Sequence, residues 1–291
     1  MTKFFPKLNA APRRSIIPNE NFGSRIPKIF HQTYRDKTLP LPLAQNREKI
    51  IAMNPGWDCR LHDDNDINGF ILKNYGARVL KQFQRIRPEY GAARADFFRY
   101  LLLYKVGGIY LDVKAAPDLP FDTILRDDDR FLLSHWSNNK KDEEYEGYGM
   151  HPELGPDGEL QQWLIIGAPG HPYMKAVIDT ILQNIDRYFP SLHGVGRHGV
   201  LQLTGPITYT HAINRILREH PHRFVDSTRE LAIRYSIMPK AQHKELFQNK
   251  HYTQLTSPIV QLGVHKKVAD PILGMLRDWR RNMKSAPKSH A

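Results

Sequence analysis

Two acids, two bases and a tyrosine are concentrated in one short stretch: Asp96, Arg99, Tyr100, Asp112 and Lys114. Asp96, Arg99 and Tyr100 stand at i, i+3 and i+4, a spacing that puts them on one face of a helix. Asp112 and Lys114 stand at i and i+2, which on a strand turns both side chains to the same side. Between the two groups, Gly107-Gly108 would turn the helix directly into the strand and bring helix face and strand end together. Carboxylates hold hydroxyls, while ammonium and guanidinium groups hold phosphates. Such a convergence suits a phosphate-bearing, hydroxyl-rich ligand. Taken singly, each residue has a plainer role: Asp96 and Arg99 as a surface ion pair, Asp112 as a turn cap, the glycines as a helix stop.

The flanking sequence supplies elements to position these groups. Residues 26–34 (IPKIFHQTY) alternate around β-formers and predict a first strand. Residues 43–53 predict a helix, 57–61 a second strand, and His62-Asp63-Asp64-Asn65 the N-cap of a helix through Lys73. Residues 89–106 form the helix that carries Asp96, with Pro88 at its start. Residues 109–113 (IYLDV) follow as a buried central strand, with Asp112 near its end. Further on, 131–136 is a strand, 138–158 an acidic loop or lid, and 172–188 a helix. Glycine-rich 191–199 is a second mobile loop, Thr204-Gly205-Pro206 opens a helix running to about Glu219, and 270–283 is a closing amphipathic helix. Strands alternating with helices predict an α/β domain with a mostly parallel sheet covered on both faces, and ligands bind such sheets at the carboxyl ends of the strands.

Composition narrows the function classes. The 291 residues carry 42 Lys and Arg against 30 Asp and Glu, a formal charge of +12, and 41% are hydrophobic, enough for a folded core. A single cysteine, Cys59, excludes a disulfide framework and any zinc site built on several thiolates. The chain shows neither a membrane-spanning stretch nor an apolar leader near its start, so the expected location is cytoplasmic. A pI near 9.7 points to an anionic partner or a merely basic surface. No nucleic-acid-binding module is present and none is expected as a partner; a peripheral hold on anionic membrane is the alternative that the charge allows.

The stretch 93–115, ARADFFRYLLLYKVGGIYLDVKA, resembles the signature block of the DXD sugar-transferase family. That family (glycosyltransferase family 32-like) includes yeast-type α-mannosyltransferases, capsular polysaccharide transferases and the glucosylating domains of clostridial toxins. IPKIFHQTY resembles the family's opening strand, Asn54-Pro55-Gly56-Trp57 with Leu61-His62-Asp63-Asp64 its second segment, and APGHP (168–172) with Thr204-Gly205-Pro206 its weaker downstream elements. The strong resemblance spans roughly residues 26–125. It implies a GT-A fold: an arm at 1–25, a single domain over 26–284 with a Rossmann-like nucleotide-sugar-binding half (26–136) and an acceptor half (137–284), and a basic tail at 285–291.

The implied reaction moves a hexose, with retention, from a nucleotide diphosphate sugar (UDP-linked first, GDP-mannose second) to a hydroxyl of a glycan, glycolipid or protein, as in polysaccharide biosynthesis. Carried over by position, Asp96, Arg99, Asp112 and Lys114 are the catalytic set. The donor set adds His31, Gln32, Thr33, Tyr34, Tyr100, Gly108, Tyr110, Thr204 and Gly205. Tyr34 lies beside the base or in the core; by strand alternation His31 faces away from Gln32, as a core histidine would; Thr204-Gly205 touches donor or simply starts a helix. The family's second DXD aspartate, ordinarily the firm ligand of Mn²⁺ or Mg²⁺, is Lys114 here. Either Lys114 meets the diphosphate itself and makes the metal weak or dispensable, or it points aside and a downstream acid or His265 helps Asp112 complete the coordination of the ion. The same departure admits a second function, a degenerate nucleotide- or sugar-binding partner protein; a basic lipid- or nucleic-acid-binding protein is a third.

Overall fold

The computed structural model describes residues 5–136, 145–238 and 252–285. Its centre is a sheet of β1 (Ile29–Thr33), β2 (Asp58–His62), β3 (Gly108–Leu111), β5 (Phe131–Leu133), β6 (Leu164–Gly167) and β7 (Arg223–Phe224), in the order β2-β1-β3-β6-β5-β7. A separate antiparallel pair joins β4 (Ala116–Pro117) to β8 (Ile233–Arg234). In the main sheet β6 alone opposes its neighbours, β3 and β5; the other pairings are parallel. The α/β class and the mostly parallel central sheet expected from the sequence are both present. The helices are α1 (Leu41–Met53), α2 (Asp64–Gln84), α3 (Gly91–Val106), α4 (Phe121–Ile124), α5 (Pro172–Arg187), α6 (Pro190–His193), α7 (Gly196–Leu203), α8 (Pro206–Asn214) and α9 (Val264–Ser285).

Strand alternation divides the core between the two faces of the sheet. Ile109, Leu111 and Ile166 pack with Phe30, Trp57 and Phe121 on one side. Tyr110 and Ile165 pack on the other with side chains of α3, α5 and α8. α3 is apolar almost all round, and every residue from Asp96 to Tyr104 is buried, as befits a helix enclosed by a sheet and other helices. Gly107 (φ 70°) and Gly108 (φ 105°) make the reversal from α3 into β3. A Cβ on Gly108 would come 2.3 Å from the carbonyl oxygen of Ile29, so the close β1–β3 contact requires glycine there as well as the left-handed backbone. α2 opens on a full capping box, Asp63 accepting from Asn65 and Asp66 while Asp66 returns the bond, and it kinks at Gly76 (φ 77°).

Several elements differ from expectation. β3 ends at Leu111, and Asp112 already begins a turn closed by the Ala115 amide on the Asp112 carbonyl (2.8 Å). The stretch 191–199 is not a loop: α6 and α7 occupy it, with Gly194 (φ 78°) and Gly196 (φ 57°) at the junction between them. Gly199 is held against the Gly194 carbonyl and Ile259, so close packing overrides its weak helix propensity. The last helix starts at Val264 and runs through Pro271. β6, the reversed strand, is an element that the sequence pattern did not announce. Asp142, Glu143 and Glu144 of the expected acidic lid lie outside the described residues, as do 286–291 of the tail; 145–158 is built from turns. The N-terminal segment from Phe5 to Arg25 is strapped to the body, with the Lys105 ammonium on Glu20 (2.8 Å) and the Asn9 amide on Asn184 Oδ1 (2.9 Å).

Candidate active site

At the carboxyl edge of the sheet the chemistry-bearing residues meet. Thr33 is the last residue of β1, Asp112 follows β3, and because β6 is reversed its beginning, not its end, arrives at the same edge. Arg99 from α3 is the hub. Its guanidinium lies 3.3 Å from Asp96 Oδ1 and 3.1 Å from Asp112 Oδ1. Its Nη1 also donates to both the carbonyl and the Oε1 of Gln162, 2.8 Å each, and its plane sits 4.5 Å from the centroid of the Tyr110 ring. Burial opposes the charge on Arg99, but Asp112 and Asp96 more than offset this and hold its pKa above the ordinary arginine value. Arg99 is therefore a fixed cation joining two carboxylates from different elements.

The network continues on both sides. Asp96 accepts from Gln162 Nε2 and from Thr204 Oγ1, each at 3.1 Å, and burial lifts its carboxyl to about 6 despite Arg99. The Tyr100 hydroxyl lies 3.1 Å from both Gln162 Oε1 and the Thr204 carbonyl, and its ring stacks on Tyr209. The Tyr110 hydroxyl lies 2.8 Å from Thr33 Oγ1 and 3.4 Å from Asp112 Oδ1, tying the end of β1 to the turn after β3. Asp112 itself stays partly open, its side chain 26% exposed against 5% for Asp96 and Arg99. It is the carboxylate in this set that a guest can reach.

Lys114 lies at the side of this cluster, across the turn from Asp112. Its ammonium is buried, 3.8 Å from the centroid of Tyr235, and burial lowers its pKa to about 8 against the opposing pull of Asp112. Tyr235 belongs to an aromatic group with Trp136 (5.0 Å) and Trp163 (5.2 Å), and Trp163 directly follows Gln162. Asp112 and Lys114 are thus neighbours, although a turn and not strand alternation brings them together.

Of the other expected donor residues, Gln32 is fully buried, with Oε1 accepting from Arg47 (2.9 Å) and Nε2 without a protein partner. Tyr34 is half-buried against Leu43 and Val113, one residue beyond Asp112. Gly108 is part of the β1–β3 contact, and Gly205 caps α8 beside Thr204, giving its amide to the Val200 carbonyl (3.0 Å). His31 does not belong with them. It is fully buried, its Nε2 is 3.1 Å from the Gly107 carbonyl and its Nδ1 3.2 Å from His62, and burial drops its pKa to about 3. With both nitrogens used and the ring kept neutral, His31 braces the turn between α3 and β3 and leaves no atom for a donor.

His265, the other expected ligand, is exposed in the first turn of α9, a helix that packs on α6. Among the described residues no three His, Cys, Asp or Glu side chains converge as a metal site would need. Asp112 Oδ1 is taken by Arg99 and Tyr110, and an ammonium stands where the second DXD carboxylate would be. These donors do not fit a divalent cation held by paired carboxylates.

Gln162 is the residue that sequence reasoning missed. It touches Asp96, Arg99 and Tyr100, yet it sits in a polar run, Gln161-Gln162, that carries no motif; the apolar LIIG of β6 just after it was the available signal.

Residues 42–131 match the family described as glycosyltransferase sugar-binding region containing DXD motif. This stretch is similar to the family's DXD-type sugar-binding region. It holds Asp96, Arg99, Asp112 and Lys114, while Gln162 and Thr204 reach the cluster from beyond it. The chain is 33% identical over 105 residues to inositol phosphoceramide mannosyltransferase 3 of Schizosaccharomyces pombe, a match covering 36% of this chain and 29% of that protein. To the initiation-specific alpha-1,6-mannosyltransferase of the same yeast it is 27% identical over 224 residues, covering 68% of this chain and 52% of that one. The match thus spans less than a third of the first relative and about half of the second. Among solved structures, a PaToxG glycosyltransferase aligns over 87% of each chain at a TM-score of 0.45 and 17% identity.

Proposed function

We propose that the chain is a retaining glycosyltransferase of the GT-A kind, moving a hexose from a nucleotide diphosphate sugar to a hydroxyl of a glycan, glycolipid or protein. The observation that carries this reading is Arg99 clamped between Asp96 and Asp112 at the strand ends, inside a DXD-type sugar-binding region. UDP-hexoses and GDP-mannose are the candidate donors, and the names of the two relatives make mannose the sugar to test first.

In this reading Asp112, the accessible carboxylate, orients the sugar hydroxyls and ribose, held in place by Arg99 with the buried Asp96 behind it, while the Lys114 ammonium meets the diphosphate. The bond between the anomeric carbon and the phosphate oxygen breaks with its electron pair going to the diphosphate. The acceptor oxygen bonds to the same face of that carbon, and its proton passes to the departing phosphate. Neither carboxylate of the Arg99 cluster is poised as a nucleophile, since Asp96 is buried and Asp112 is paired with Arg99. Positive charge on the leaving group comes from Lys114 in place of Mn²⁺ or Mg²⁺, so EDTA leaves turnover in the same order of magnitude.

The test is release of free nucleotide from a panel of UDP- and GDP-sugars with and without EDTA. Asp112→Ala loses at least ~100-fold, the scale on which removing one transition-state electrostatic contact acts. Wild type and Asp112→Ala behaving alike across the panel would sink the proposal. Lys114 favours one second reading, a nucleotide-binding protein without turnover; calorimetric nucleotide binding with no release from any donor selects it.

A further inference from the structure

The last helix inverts the usual amphipathic arrangement. α9 turns Lys266, Asp270, Gly274 and Arg277, spaced as one helix face, toward the body. Lys266 Nζ donates to the Tyr188 carbonyl (3.2 Å) and stands 4.7 Å from the Phe189 ring centroid. Asp270 Oδ1 accepts from the Ser191 amide (3.0 Å) and hydroxyl (2.7 Å), Gly274 fits closely over Ser191, and Arg277 donates to the Ser191 carbonyl. The opposite face carries Val264, Val268, Ile272, Met275, Trp279 and Met283, exposed by 79, 65, 50, 66, 59 and 63%. A continuous apolar stripe this long is not the scattered exposure of an ordinary soluble surface.

Charge says what covers it. Besides the stripe, α9 holds Lys266, Lys267, Arg277, Arg280, Arg281 and Lys284 against Asp270 and Asp278, on a chain of formal charge +12. A second copy laid on the stripe would set two such basic helices side by side, whereas an anionic bilayer complements both the apolar and the basic parts. We propose that α9 is a membrane-surface helix whose Val264–Met283 stripe sinks to the boundary of headgroups and acyl chains of an anionic bilayer. Lys267 and Arg280, which flank the stripe, then lie at the level of the lipid phosphates. Among the described residues no helix is long and apolar enough to cross a membrane, so this contact lies along the surface. The proposal does not depend on which sugar, if any, the chain transfers.

The experiment is flotation of the purified full chain with vesicles of phosphatidylcholine alone and of phosphatidylcholine mixed with phosphatidylglycerol, read together with tryptophan emission. Trp57, Trp136 and Trp163 are buried at 8, 8 and 5% exposure, so a blue shift reports Trp279. Anionic vesicles are expected to float the chain and shift its emission to the blue. Lys267→Glu/Arg280→Glu weakens flotation at least ~10-fold, as loss of a few basic residues near an anionic surface should. Met275→Ser/Trp279→Ser abolishes it while circular dichroism and thermal unfolding stay as in wild type, since both side chains face solvent. Failure to float on anionic vesicles, or equal flotation of Met275→Ser/Trp279→Ser, overturns the proposal. A concentration-dependent dimer that this double variant dissolves, without lipid binding, overturns it in favour of a second copy.

Discussion

Replacing Lys114 with methionine removes one charge and keeps most of the volume, and the structure gives this change two opposite effects. Lys114 is 9% exposed and its pKa is lowered from 10.5 to about 8 by burial. Between these values the unfolded chain binds more protons than the folded one, so wild-type stability rises with pH from about 8 to 10.5. Below pH 8 the folded protein carries the whole cost of the buried charge, on the order of 3 kcal/mol at 1.36 kcal/mol per unit. Lys114→Met should therefore unfold later than wild type at pH 7, by ~1–3 kcal/mol after loss of the Tyr235 contact, and show no rise above pH 8. Binding should move the other way. A unit charge ~4 Å from a phosphate at an effective dielectric of ~20 contributes about 4 kcal/mol, of which roughly half survives desolvation, so the Kd of a nucleoside diphosphate should rise ~30-fold. Urea unfolding at pH 7 and 10 with isothermal titration of UDP and GDP measures both. A variant that binds both nucleotides as tightly as wild type refutes the assignment of Lys114 to the diphosphate, and one that loses stability at pH 7 refutes the cost assigned to its buried charge.

Gln162→Ala removes bonds to Asp96, Arg99 and Tyr100 and should cost ~2–3 kcal/mol in urea unfolding and more than ~10-fold in turnover; an unchanged midpoint would mean that the network is not coupled. Asp96 has a folded pKa of about 6 against an ordinary 3.8, so its burial makes wild-type stability fall as pH rises through that window. Asp96→Asn should flatten this slope while turnover drops, as thermal unfolding between pH 4 and 7 will show. Gly108→Ala places a Cβ 2.3 Å from the Ile29 carbonyl at φ 105°, and should destabilise by more than ~3 kcal/mol or prevent folding, whereas Gly56→Ala, with open space around it, should lose only the ~1 kcal/mol of a left-handed backbone.

The parts of the site that were legible in the sequence are those fixed by local geometry. The i, i+3, i+4 spacing of Asp96, Arg99 and Tyr100 survives into α3 because a helix permits little else, and Gly107 marks its end by backbone conformation. The strand alternation assumed for Asp112 and Lys114 failed because β3 stops one residue before Asp112. The two groups came together for a reason that the pattern does not contain. His31, with a useful chemical group on the right strand, proved to be a brace, since its environment and not its type decides its protonation. Residues 191–199 read as loop from their glycines and fold as helices under tertiary packing. Gln162 was invisible because its partners lie more than sixty residues away in the chain.

The reversal of β6 has an evolutionary and engineering reach. In a wholly parallel sheet every strand would deliver its final residues to the reactive rim, and each following loop would leave from there. Here one strand enters from that rim, so the residues just before it, Gln162 and Trp163, lie against the Asp112 turn, the Gln162 carbonyl accepting from Arg99 and the Trp163 carbonyl from the Asp112 amide. If the proposed transfer holds, exchanges upstream of that anchor are expected to alter acceptor choice while the sheet, whose strands pair without them, stays as it is.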